Sequence, residues 1–162
     1  MSDKAQELAA QLIRNVRGVE LTHFVRGSLY ESRGARLSDG TAAKKLAAGV
    51  DTLPPGKRSC PYHFHHAEEE MFIVLEGQGT LRVAGEMLPI SAGDVVFIPP
   101  GPAYPHHILN TSDAPLTYIS IGTNEPIEIC EYPDSGKYLV GAPAFHTIGR
   151  QGGALDYWEG EE

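Results

Sequence analysis

The chain has 162 residues, a net charge of −8 and a hydrophobic content of 41%, with 18 glycines and 12 prolines. This length suits one domain with a sizeable core, and frequent glycine and proline favour a β architecture over a helical bundle. The negative charge argues against a nucleic-acid partner, and no apolar run approaches the roughly 20 residues of a membrane-spanning helix.

The first 40 residues are predicted to form a short helix and an arm that packs on the rest of the molecule. Residues 2–14 are expected to be helical, because Ser2 or Asp3 can cap the helix and Leu8 and Leu12 lie on one narrow apolar stripe. The amino terminus lacks the basic-then-apolar pattern of a signal peptide, so we expect a cytoplasmic protein.

The pattern is mixed as far as the first histidines. Residues 21–25 are predicted as a strand, the polar run 30–39 as a loop, and residues 44–53 as a second strand that a Pro-Pro-Gly sequence ends. Lys57 and Arg58 follow. They have two interpretations, a rim that binds an anionic substrate or solvated loop charges.

A stretch rich in histidine and glutamate comes next. In an extended strand, side chains two residues apart share a face, so His63 and His65 point the same way. Two imidazoles about 6–7 Å apart at Cα can converge on one cation. A carboxylate a few residues on can turn back to the same ion, and Glu70 is best placed because it opens the apolar run 71–75. A further histidine downstream, His106, would complete a set of three imidazoles and one carboxylate.

The remaining chain alternates like a series of short strands. The glycines at 77 and 79 suggest a hairpin turn between strands, and residues 95–98 are predicted as a strand buried on nearly both faces. Further strands are expected at 116–121 and 127–132. Without an internal repeat or crossover helices, this pattern predicts a small antiparallel barrel or sandwich.

The two cysteines, Cys60 and Cys130, are too few for a disulfide framework. We expect two buried or reduced thiols. Cys60 precedes His63 by three residues, so a role as an additional ligand or redox-sensitive thiol is an alternative.

The segment 55–77 resembles the first cupin motif, in which two histidines one residue apart are followed by a glutamate and then a glycine. In the common form of that motif six residues separate the glutamate from the glycine, and counting back from Gly77 selects Glu70 over Glu68 and Glu69. Together with the second motif, this pattern is far more specific than a lone pair of histidines.

The segment 93–101, followed by a histidine and an asparagine, resembles the second cupin motif. The family's spacing between that histidine and Asn110 selects His106 over His107. The gap after the last glycine of the segment is two residues longer than usual, and Tyr104 stands where the histidine is commonly found.

The resemblance to cupins implies an all-β fold, a double-stranded β-helix (jelly-roll) barrel at residues 41–142. A short N-terminal helix and arm at 1–40 would precede the barrel, and a C-terminal arm at 143–162 would follow it. Cupins are commonly dimers, so a homodimer is expected. The resemblance also implies one divalent metal ion, with zinc, iron, manganese and nickel all suited to ligands from His63, His65, Glu70 and His106.

Small cupins with this sequence pattern are similar to sugar-phosphate-isomerase-like, or mannose-6-phosphate-isomerase-like, proteins. The resemblance therefore implies an isomerase acting on a sugar or sugar phosphate, with Glu70 as ligand or base, Tyr104 as acid, and Lys57 or Arg58 binding phosphate. Because Glu70 cannot be both a tight ligand and a free base, the general base is unassigned. Two alternatives stay open, an iron-dependent dioxygenase and a non-catalytic protein that binds a sugar or carboxylate.

Overall fold

The computed structural model describes residues 1–153 and 155–161, so positions 154 and 162 of the predicted C-terminal arm lie outside the described residues. The regular structure of the described chain is mainly β-strand with one short helix, as predicted. Its elements are α1 (Asp3–Leu12), β1 (Thr22–Arg26), β2 (Tyr30–Arg36), β3 (Leu46–Leu53), β4 (Phe64–His65), β5 (Glu70–Glu76), β6 (Gln78–Val83), β7 (Glu86–Ser91), β8 (Val95–Ile98), β9 (His106–Leu109), β10 (Leu116–Thr123), β11 (Glu128–Tyr132), β12 (Lys137–Ala142) and β13 (Phe145–Arg150).

The strands form three antiparallel sheets. A six-stranded sheet has the order β1-β2-β3-β10-β5-β8, a four-stranded sheet the order β13-β12-β11-β4, and a three-stranded sheet the order β7-β6-β9. Neighbouring strands are often far apart in sequence, as where β10 pairs with β3 and β5. Non-local antiparallel pairing of this kind is typical of a jelly roll.

The hydrophobic core lies between the six-stranded and three-stranded sheets. Leu53 and Leu116 are completely buried there, and Val74 and Ile108 nearly so. Burying one leucine side chain stabilises the fold by about 2 kcal/mol. The apolar core therefore fills the space between these two sheets.

Strand β5 carries both core residues and an interior carboxylate. Its inward-facing residues alternate as a strand requires: Val74 and Phe72 belong to the core, and Glu70 lines the adjoining cavity. The strand that the sequence predicts from its apolar run thus delivers a carboxylate to the interior.

The N-terminal helix is confirmed. It begins at Asp3, after Ser2 accepts a hydrogen bond from the Ala5 amide at 3.3 Å, and it ends at Leu12. No residue of the helix is buried. Within the described residues no helix combines the length and apolar character that crossing a membrane requires.

The prediction of a loop at residues 30–39 is wrong. Residues 30–36 form β2, which pairs with β1 on one side and β3 on the other. Ser32 is buried whereas Arg33 is exposed, so the polar composition reflects a strand with one face in solvent.

The prediction of a hairpin after β5 is also wrong. β5 pairs with β8 and β10, whereas β6 pairs with β7 and β9. Gly77, at φ +82°, redirects the chain from one sheet to the other, a conformation that favours glycine.

Strand β8 is not buried on both faces, contrary to prediction. It lies at the edge of the six-stranded sheet, and the Phe97 side chain on its outer face is 68% exposed. Within this continuous apolar run, Val96 and Ile98 face the core. The other face of the strand is exposed.

Candidate metal centre

Four predicted ligand side chains lie around one point. The Oε2 atom of Glu70 is 2.9 Å from His106 Nε2, 3.5 Å from His65 Nε2 and 3.9 Å from His63 Nε2. His106 is 1% exposed. The cluster is therefore largely shielded from bulk water.

Backbone pairing brings His63 and His106 face to face. The His63 amide donates to the His106 carbonyl at 3.1 Å, and the His106 amide donates back at 2.7 Å. Their ring centroids are 4.8 Å apart. The neighbouring His107 faces the other way, with its ring edge-on to Tyr62 at 5.4 Å.

Backbone carbonyls orient both of these histidines. With Nδ1 as the proton-bearing nitrogen, His63 donates to the Pro61 carbonyl at 2.9 Å and His106 to the Tyr104 carbonyl at 3.1 Å. That tautomer leaves each Nε2 with a free lone pair directed toward Glu70. Burial lowers the pKa of His63 to about 4, with help from His106, so its imidazole is neutral at physiological pH, as a metal ligand must be.

The donor set fits a divalent cation. His106 Nε2 and Glu70 Oε2 are both buried, and neither makes a hydrogen bond within the described residues although they are 2.9 Å apart. A glutamate carboxyl group is ionised at neutral pH, so Glu70 contributes an anionic oxygen. An anionic oxygen and neutral imidazole lone pairs sharing one buried point is the arrangement that a metal ion satisfies.

Glu128 holds the loop that carries the histidines. Its carboxylate accepts hydrogen bonds from the amides of His66 at 2.8 Å, Ala67 at 3.0 Å and Glu68 at 2.8 Å. Its Oε1 atom is also 3.4 Å from His65 Nδ1, the ring nitrogen opposite the one that faces the cluster. Outer carboxylates of this kind orient metal-binding histidines, and our sequence analysis missed this one.

Cys130 is buried and free, as expected, but its position beside the histidines was not foreseen. It is the cross-strand partner of His65, and together with His63 the two offer ligand atoms within 4.8 Å of one another. Burial raises the pKa of Cys130 to about 12. Cys60, the thiol weighed from the sequence, lies 3.9 Å from His63 Nδ1, on the side of the ring that faces away from Glu70.

The predicted acid Tyr104 contributes its backbone to the centre. Its carbonyl accepts the His106 hydrogen bond, whereas its side chain is 45% exposed. The phenol is absent from the described lining of the cavities that contain Glu70. Its role as an acid stays a prediction.

Lys57 and Arg58 lie outside those cavities as well, in the part of the chain that the structure describes. The Lys57 ammonium donates to the Ser28 carbonyl at 3.0 Å and is 3.3 Å from a Glu31 carboxylate oxygen. Arg58 lies over the Tyr30 ring at 5.7 Å. The Lys57 ammonium therefore has partners of its own, whereas the buried Nε atom of Arg58 makes no hydrogen bond within the described residues. The role of both residues in substrate binding stays a prediction.

Three spaces adjoin the cluster. One of them, about 580 Å³, is lined by His63, His65, Glu128 and Cys130, and the other two share lining residues. The inner cavity, about 450 Å³, extends from His63, Glu70 and His106 to Asp51 and Tyr118 inside the barrel. The mouth groove, about 760 Å³, is a more open space that shares Glu70 and Asp51 with it. Both volumes suit small-molecule ligands.

The cupin domain family model matches residues 49–122, which include the four clustered side chains. An oxalate-binding protein of Thermotoga maritima is 32% identical over 122 residues, covering 73% of this chain and 89% of that relative. The chain belongs to the cupin family. The resemblance of the two sequence motifs to those of cupins is thereby confirmed.

Solved structures confirm the double-stranded β-helix of this cupin. It is similar to a protein provisionally assigned as a sugar phosphate isomerase from Acidithiobacillus ferrooxidans, with a TM-score of 0.78 and 26% identity, covering 87% of this chain and 91% of that chain. A sugar phosphate isomerase of the cupin superfamily from Silicibacter pomeroyi has a TM-score of 0.76 at 24% identity, covering 88% of this cupin and 96% of that chain, and is alike in fold.

Proposed function

We propose that this cupin is an isomerase of a sugar or sugar phosphate that uses one divalent metal ion. The ligands in this proposal are His63, His65, Glu70 and His106. The observation that carries it is the convergence of three imidazole Nε2 atoms on one oxygen of Glu70, beside a cavity of ligand size. The likeness to the Acidithiobacillus ferrooxidans protein supports the reaction class.

The bound ion would supply a Lewis acid for a substrate carbonyl or hydroxyl oxygen. The chain's own residues prepare the site for that role. The Pro61 and Tyr104 carbonyls hold the two facing imidazoles in one tautomer, and Glu128 holds the loop between them and Glu70. In this proposal Glu70 serves as a ligand, and another group moves the proton.

Elemental analysis of protein purified without added metal or chelating resin tests the proposal first. We expect about one ion per chain, and isomerisation of an aldose or its phosphate, followed by NMR, that disappears with the ion in His106→Ala. Protein that binds no metal even after reconstitution would overturn the proposal. Oxygen uptake in the same samples, dependent on iron, would favour the dioxygenase alternative instead.

A second candidate function is non-catalytic binding of a small carboxylate. It is favoured by the 32% identity to a protein named for binding oxalate. Titration of the metal-loaded protein with oxalate, followed by NMR of the mixture, separates the two functions. Tight binding of oxalate, with no conversion of oxalate or of sugars, would favour the carboxylate-binding function.

A further inference from the structure

Part of the inner cavity is lined by polar side chains other than the four clustered ones. Asp51 and Tyr118 are cross-strand partners on β3 and β10, so their side chains share the inward face. Ser59 lies against them, with its hydroxyl 2.6 Å from the Tyr118 hydroxyl. All three line the inner cavity together with Ser32 and Ser120. We call this set of five residues the polar end.

Gly34 makes room for the Asp51 carboxylate. A Cβ atom at this position would lie 2.5 Å from Asp51 Oδ1 and 2.9 Å from the Val50 carbonyl oxygen. Gly34 is also the cross-strand partner of Asp51 on β2. The Asp51 carboxylate therefore occupies space that a side chain at position 34 would fill.

The inner cavity carries acids without cations. Among the described residues that line it, Asp51 and Glu70 are carboxylic acids and none is lysine or arginine. Burial raises the pKa of Asp51 although Ser32 beside it acts in the opposite direction, and burial raises that of Tyr118 well above its usual value. A phosphate dianion here would be a buried charge without a lysine or arginine among the described residues that line the cavity, which is unfavourable.

The mouth groove offers little more to a phosphate. Arg36 is the single arginine or lysine among its described lining residues, and its Nε atom lies 3.6 Å from an Asp39 carboxylate oxygen. Five carboxylates of the described residues also line the groove. They belong to Glu20, Asp39, Asp51, Glu68 and Glu70.

We propose that the ligand of this cavity is a neutral polyhydroxy compound, a free sugar, some of whose hydroxyls bind the polar end. This inference rests on the proposed isomerase function and narrows its substrate class. Sugar hydroxyls donate to the Asp51 carboxylate and exchange hydrogen bonds with Ser59 and Tyr118. The same carboxylate repels a phosphate ester, so one residue both binds the hydroxyls and excludes the anion.

Calorimetric titration of the protein with its bound metal tests this inference. The probes are D-mannose, D-fructose and D-xylose, each compared with its own phosphate monoester. We expect at least one free sugar to bind about tenfold or more tightly than its phosphate, the effect of one or two charge-assisted hydrogen bonds. In Asp51→Asn the free sugar should bind about tenfold more weakly. The ratio of its affinity to that of the phosphate monoester should decrease.

Asp113→Asn is the matched control, because it removes the same charge at an exposed position, and it should change neither affinity nor discrimination. Ser59→Ala is a second variant at the polar end and should weaken binding of the free sugar. A phosphate that binds as tightly as its free sugar, a discrimination ratio unchanged in Asp51→Asn, or free sugars that do not bind would each overturn the inference.

NMR of the same mixtures separates this inference from the proposed function. Discriminating binding of a free sugar without isomerisation would reject the isomerase and leave the ligand class standing. Isomerisation of the phosphate alone would support the isomerase and reject the ligand class.

Discussion

Glu70 Oε2 lies 2.9 Å from His106 Nε2 in the barrel interior, and neither atom makes a hydrogen bond within the described residues. The two residues come from different sequence motifs and meet because β5 and β9 both border the same interior. An unprotonated nitrogen and a carboxylate oxygen this close repel each other unless a cation or proton lies between them. This relationship is the basis of the metal proposal.

Two adjacent histidines test the ligand assignment. His65→Ala should lower the bound metal to well below one ion per chain, because it removes a nitrogen 3.5 Å from Glu70 Oε2. His66→Ala should keep the ion, since its ring instead binds Glu131 at 2.7 Å. Elemental analysis and metal titration measure the difference. Full metal content in His65→Ala would contradict the assignment of His65 as a ligand.

Glu128→Gln should weaken metal binding without unfolding the protein. The Glu128 carboxylate accepts three backbone hydrogen bonds from residues 66–68, and glutamine lacks its negative charge. Losing a partner outside the ligand shell typically lowers metal affinity about 10- to 100-fold. Amide hydrogen exchange at residues 66–68 should speed up in parallel. Glu125→Gln, a matched charge removal nearby, is the control. Equal metal affinities in the two variants would contradict the prediction.

The metal-free protein should lose stability between pH 6.5 and pH 4. Burial lowers the pKa of His63 and of His107 to about 4. The unfolded chain therefore takes up protons in this window that the folded chain does not. The free energy of unfolding has its full value above the ordinary histidine pKa. It decreases as the pH falls, by on the order of 2 kcal/mol for each histidine at pH 4.5.

Urea unfolding at several pH values measures this loss. His107→Gln should make the pH dependence shallower by about half, because one of the two histidines is removed. His146→Gln, at an exposed position, should leave it unchanged. A flat stability profile between pH 6.5 and 4 in the metal-free protein would contradict the prediction.

Both thiols should react slowly with iodoacetamide in the folded protein. Burial raises the pKa of Cys60 and of Cys130 to about 12, so at pH 8 the reactive thiolate is on the order of a thousandfold rarer than in an ordinary cysteine. Mass spectrometry over time follows the modification, with protein in denaturant as the control. Similar rates in the folded and unfolded protein would show that the thiols are ordinary.

Gly77→Ala should destabilise the fold by a few kcal/mol more than Gly85→Ala. Both glycines have positive φ, +82° and +85°, so the backbone strain of the substitution is matched. Only at Gly77 would the added Cβ collide with a backbone atom, the Pro115 carbonyl oxygen, whereas at Gly85 it meets nothing within 4 Å. Chemical denaturation compares the two variants, and equal losses would show that the crossing between sheets tolerates a side chain.

Much of the centre could be predicted from the sequence because its spacing is local. The alternation of a strand put His63 and His65 on one face, and the family spacing singled out Glu70 and His106. The same alternation in 127–132 places Glu128, Cys130 and Tyr132 on one face. The sequence therefore groups these three residues on one face. It does not show that this face lies beside the histidines.

The tertiary structure alone decided which distant residues meet. Glu128 binds the His66 amide across 62 positions of sequence, and Asp51 enters the cavity only because β3 pairs with β10 beside Gly34. The strand at 30–36 and the exposed face of 95–98 were mispredicted for the same reason. A two-residue periodicity is a property of the local backbone, whereas strand neighbours and burial depend on which non-local pairings bury the most apolar surface. The sequence by itself therefore determined the histidine and glutamate donors and the β architecture, and the folded chain determined the cavity, its charge and the residues that surround those donors.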